Sequence, residues 1–124
     1  VAQVQPEVFV FENVPGLASG EHKAYLHDII AKLRAPDDKS PKYGVVAGTL
    51  NAADFGVPQY RRRLFMIGFR EMPSAFAFKT FDRVYDLATH RDPTLPHPAR
   101  RPWTTLRESI GQRPDPGGWR RWDY

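Results

Sequence analysis

Glu12 closes the apolar run Val8-Phe9-Val10-Phe11, and Arg61, Arg62 and Arg63 open another, Leu64-Phe65-Met66-Ile67. A carboxylate and a set of guanidiniums thus each stand where a strand can hold them rigidly. Together they can grip a polar, electron-rich ring and its phosphate. The chain contains no cysteine, so whatever chemistry the pair supports must lack, or borrow, a thiol nucleophile.

In open α/β sheets, ligands sit beyond the carboxyl ends of the strands, which is where Glu12 falls. Its neighbours Phe11 and Val14 are apolar, a setting that favours a neutral carboxyl and a proton donor near neutral pH. Taken alone, a strand-end carboxylate is first of all a solvated surface residue. Side chains alternate along a strand, so Gln59, Arg61 and Arg63 are expected on one face, with Tyr60, Arg62 and Leu64 on the other. An amide and two guanidiniums on one face form either a phosphate clamp or a charged, solvent-facing edge, and both readings stand. Asn13 and Asn51 read as turn and cap residues. His22, His27, His90 and His97 are scattered, with no metal-ligand spacing, and Trp103, Trp119 and Trp122 suit packing more than base stacking.

The elements that must position these groups follow from pattern. Val8 to Phe11, β-branched and aromatic without polar alternation, reads as a strand buried on both faces of a parallel sheet. Pro15-Gly16 breaks it. Ser19 is expected to cap a helix whose stripe is Leu26, Ile29, Ile30 and Leu33, with Pro36 ending it. The loop 37–41 leads to a second strand over Tyr43 to Leu50. A turn region from Asn51 to Pro58 precedes a third strand, about Gln59 to Phe69. Strand, helix, strand, strand implies a crossover and then a short antiparallel return. The fold class is therefore α/β: the second half of an open, Rossmann-like sheet with a reversed strand near one edge.

From residue 71 an irregular, Pro-rich segment is expected, since six of the twelve prolines lie from Pro93 onward. Within it Thr105-Leu106-Arg107-Glu108 fits a capping box, which predicts a short helix over 106–110 ended by Gly111. The aromatic, basic stretch 117–122 has no usable periodicity.

A length of 124 residues suits one small domain or part of a larger one. At 41% hydrophobic the chain can form a core, and its net charge of +4 is compatible with a polyanionic partner. Without cysteine there is no disulfide framework and no thiolate metal site. No signal peptide and no membrane-length apolar stretch is evident, so no membrane partner and a cytoplasmic location are expected. Beginning at Val1 and entering a strand almost at once, the chain looks cut from something longer.

Two segments in this order resemble the DNA (cytosine-5-)-methyltransferase family. Pro6 to Leu17 looks like its Glu-Asn-Val motif. Leu50 to Arg63, ending Gln59-Tyr60-Arg61-Arg62-Arg63, looks like its Gln-x-Arg-x-Arg motif and lead-in. Trp103 to Gly111 looks like a segment that follows in many members, so the resemblance is firm over roughly 4–70 and looser to about 113. It implies a methyltransferase sheet and methyl transfer from S-adenosylmethionine to C5 of a cytosine flipped out of double-stranded DNA. The catalytic residues would be Glu12, protonating N3, with Arg61 and Arg63 at O2 and the phosphate; Asn13 and Gln59 would support them. The family's Pro-Cys nucleophile and glycine-rich cofactor loop lie upstream of these motifs. Residues 1–70 would then be a partial catalytic domain and 71–124 a connection towards the target-recognition region. The chain would be inactive without the rest of the polypeptide, and most of the cofactor site would lie outside it. Two alternatives are a non-catalytic basic DNA-binding module and one half of a split methyltransferase.

Overall fold

The computed structural model describes residues 1–36, 40–95 and 97–111. Part of the expected loop 37–41, and the stretch 117–122 with Trp119 and Trp122, lie outside the described residues. The core is a three-stranded sheet of β1 (Val8–Asn13), β2 (Tyr43–Asn51) and β3 (Arg62–Arg70), in the order β1-β3-β2. β3 is antiparallel to both neighbours, so β1 and β2 run parallel to each other with β3 between them. The antiparallel return agrees with the sequence, and among the described residues the reversed strand lies one strand in from the β2 edge. β1 differs: it pairs antiparallel with β3, and within it only Phe9 is buried. Among the described residues nothing pairs with its outer edge, and Val8 and Val10 are exposed.

Alternation sorts the sheet into two faces. On one, Phe9, Tyr43, Val45, Leu64 and Met66 form a core with Leu26 of α1 (His22–Arg34), and Ile29, Ile30 and Leu33 pack around it. The predicted apolar stripe is therefore the buried one, and the helix stops at Ala35, before Pro36. Ser19 does not cap it. A 3-10 turn over Pro15–Ala18 intervenes, and the Ser19 hydroxyl donates back to the Gly16 carbonyl instead. Arg34, at the end of α1, donates to the Val45 carbonyl at 2.7 Å and so covers part of the outer edge of β2.

On the other face lies α2 (Ser74–Asp86), a thirteen-residue helix in the segment expected to be irregular. The prolines that argued for irregularity begin at Pro93, while Pro73 sits at the N-cap, where its missing N–H costs nothing. Ala77 and Phe81, one helical turn apart, bury against Val46, with Leu50, Phe65, Ile67 and Phe69 around them. Gly48 permits this docking, because a Cβ there would collide with the Phe81 ring. The irregular stretch begins only after α2. It contains a two-residue parallel pairing of β4 (His90–Arg91) with β5 (Arg101–Pro102), and then α3 (Leu106–Ile110). α3 carries the predicted capping box: the Glu108 N–H donates to the Thr105 hydroxyl at 3.2 Å, and Glu108 accepts from the Thr105 N–H at 2.6 Å.

Candidate active site

Cross-strand register places the charged groups. Glu12 lies opposite Phe65, and Leu50 opposite Arg63, so Glu12, Arg63, Phe65 and Leu50 share the face on which α2 packs. On that face Arg63 Nε stands 2.7 Å from Glu12 Oε1 in an ion pair. The two side chains are 26% and 50% exposed, so the pair stands at the rim of the core and open to a ligand. Arg63 is further held by Nη1, which donates to the Arg62 carbonyl at 2.8 Å.

Glu12, Arg61 and Arg63 line a single cavity of about 360 Å³, completed by Leu50, Ala52, Phe55, Phe65 and Val84. The lining sets apolar side chains beside the paired Glu12 carboxylate and Arg63 guanidinium and the Arg61 side chain. The apolar flank expected for Glu12 is not present: Phe11 and Val14 are exposed, and the partner of the carboxylate is a guanidinium. Alternation points Phe11 to the opposite sheet face, since it lies across from Met66.

The remaining candidates are placed elsewhere. β3 begins at Arg62, so Gln59 is not a strand residue; it is exposed, and its N–H donates to the Val57 carbonyl at 2.7 Å in a tight turn. Asn13 is on the α1 side of the sheet, and its Oδ1 accepts the Val14 N–H at 2.8 Å, turning the chain out of β1. Asn51 is 8% exposed and caps the 3-10 turn Ala52–Phe55, its Oδ1 accepting from the N–H groups of Ala53 and Arg61. Gly56 follows in the left-handed region at φ 85°, which a residue without Cβ adopts freely. The wall residue Val84 is a contribution of α2 that no sequence signal near the motifs announced. Among the described residues, no group of three or more His, Asp or Glu side chains gathers as a metal site, and no helix is long and apolar enough to cross a membrane.

Residues 1–113 match the family model for C-5 cytosine-specific DNA methylase. The chain is 36% identical over 115 residues to the Type II methyltransferase M.SacI of Streptomyces achromogenes, covering 93% of this chain and 27% of that protein. It is 36% identical over 118 residues to M.XorII of Xanthomonas oryzae, covering 93% and 22%. To M.BsuRI of Bacillus subtilis it is 39% identical over 116 residues, covering 93% and 23%. The chain thus spans about a quarter of the length of these curated relatives.

Proposed function

The chain belongs to the C-5 cytosine-specific DNA methylase family, and from that premise we propose that it is the central catalytic part of an enzyme methylating C5 of cytosine in double-stranded DNA. The observation that carries this reading is the 2.7 Å Glu12–Arg63 pair in a cavity it shares with Arg61. C5 of cytosine is a poor nucleophile, so the ring must be activated by addition of a thiolate at C6 and polarised at N3. In this proposal a flipped cytosine enters the cavity edge-on. Oε2 of Glu12 shares a proton with N3, and Arg63 holds the carboxylate in the orientation that allows it. Arg61 and Arg63 meet O2 and the adjacent phosphate, where negative charge gathers during addition. Asn13 and Gln59 shape the turns at either side rather than meeting the base.

The thiolate must come from outside this cysteine-free chain. S-adenosylmethionine is the donor the reading implies, and it supplies the methyl group as a sulfonium. The Glu12 cavity does not fit that cation, because two guanidiniums would face it; its residues are assigned to the base alone. The remainder of the polypeptide is therefore a required partner, and residues 87–111 are the start of the connection towards the part that reads DNA sequence. The cytoplasm, where bacterial DNA lies, is the compartment this reading requires.

The test uses the complete polypeptide with unmethylated plasmid DNA and radiolabelled S-adenosylmethionine. Label transferred to cytosine, mapped by bisulfite sequencing, is the expected result. Salt-sensitive DNA binding with no transferred label would instead favour the non-catalytic module.

A further inference from the structure

The two arginines of the cavity are not fixed in the same way. Arg63 lies within β3, held by the ladder and by Glu12. Arg61 lies one residue before the strand, so its placement depends on the loop that carries it. That loop is pinned from inside by Asn51 and by the Ala52 N–H, which donates to the Arg61 carbonyl at 2.9 Å. From outside it is held by a residue far along the chain. Trp103 Nε1 donates to Asp54 Oδ1 at 2.7 Å, and the Trp103 ring meets Tyr60 edge-on, with centroids 5.5 Å apart. Asp54 belongs to the 3-10 turn capped by Asn51, and Tyr60 immediately precedes Arg61. The Trp103 backbone is itself tied down, its N–H donating to the Arg91 carbonyl at 3.0 Å beside the β4–β5 pairing.

We propose that Asp54 and Trp103 are positioning residues for Arg61, joining the segment after α2 to the arginine that precedes β3. The inference rests on the reading of the Glu12 cavity as a cytosine pocket. A charge-assisted indole–carboxylate bond is directional, and the edge contact with Tyr60 sets the ring's other coordinate. Loss of either lets the backbone at Tyr60 relax while β3 and Arg63 stay in register. The consequence is a slower chemical step with little change in DNA affinity.

The complete polypeptide is assayed with unmethylated plasmid DNA of mixed sequence. Trp103→Phe keeps a ring against Tyr60 but removes the donor; Asp54→Ala removes the acceptor, and Asp54→Asn keeps an acceptor oxygen. Trp103→Phe and Asp54→Ala are each expected to lower kcat about 10-fold, with KM for DNA within about twofold. Asp54→Asn restores most of the loss seen in Asp54→Ala. In an Arg61→Ala background, Trp103→Phe lowers kcat no further, because the residue through which it acts is gone. An unchanged kcat in both Trp103→Phe and Asp54→Ala, or losses that simply add to that of Arg61→Ala, would overturn the proposal. If Trp103→Phe does not fold, the Asp54→Ala and Asp54→Asn pair decides by the same criteria. Glu12→Gln, measured alongside, separates the two levels. A slowed Glu12→Gln with both Trp103→Phe and Asp54→Ala unaffected refutes only the positioning role, whereas an unaffected Glu12→Gln removes the pocket itself and the proposal with it.

Discussion

At the scale of single residues, the Glu12–Arg63 pair joins orientation to charge. The guanidinium stands 2.7 Å from one carboxylate oxygen. Replacing Glu12 by Gln keeps the shape and removes the proposed proton donor. Turnover of the complete enzyme is expected to fall by about 10² or more while DNA binding is largely kept, which a methyl-transfer assay beside a gel-shift titration would check. Arg63→Ala should lower turnover and weaken DNA binding together, because it unpairs the carboxylate and removes the proposed phosphate contact. Arg63→Lys should recover little of the turnover, since a point charge on a flexible stem does not reproduce the planar Nε contact. If Lys restored turnover fully, charge alone would be the requirement. Strand alternation was expected to set Arg61 and Arg63 on one face, but β3 begins at Arg62, so the cavity they share joins a loop residue to a strand residue. That Arg63 meets Glu12 was not legible, because the contact joins two strands whose pairing no single segment encodes.

At the scale of elements, two helices of the second half test opposite kinds of reading. α3 was legible because its signal is local: a Thr and a Glu three residues apart satisfy each other's backbone groups. Hydrogen bonds from the backbone and side chain of Thr105 hold the Glu108 carboxyl below the usual carboxylate range. A folded value depressed below the unfolded one means that this contribution to stability is complete above the unfolded value of about 4.3 and is lost as pH falls through the folded value. The α3 amides should therefore lose hydrogen-exchange protection on acidification below about pH 4, and Glu108→Gln should flatten that dependence. α2 was missed because what fixes it is the sheet it covers, with Phe81 lying over Gly48. A methyl at Gly48 must displace that ring or the helix. Gly48→Ala is expected to destabilise the protein by about 1–3 kcal/mol in chemical denaturation. A neutral result would mean that α2 docks less tightly than the contact implies.

At the scale of the whole molecule, the two sheet edges are unequal. Arg34 covers a carbonyl on the outer edge of β2, while among the described residues the outer edge of β1 is unpaired, with Val8 and Val10 49% and 57% exposed. An open, β-branched edge invites intermolecular pairing. Residues 1–124 expressed alone are expected to be poorly soluble or marginally stable, and a cooperative, high-temperature melt of a monomer would contradict this. The sequence by itself determined the family motifs, the first helix and its buried stripe, and the α3 cap. Each is a local pattern read over one element, where covalent spacing and backbone periodicity leave few choices. Only the tertiary structure decided that β3 lies between β1 and β2, that α2 covers the second face, and that Val84 and Phe65 wall the cavity. It also brought Trp103 onto Asp54, 49 residues away. These depend on which surfaces bury each other, and that is a property of the assembled chain rather than of any segment.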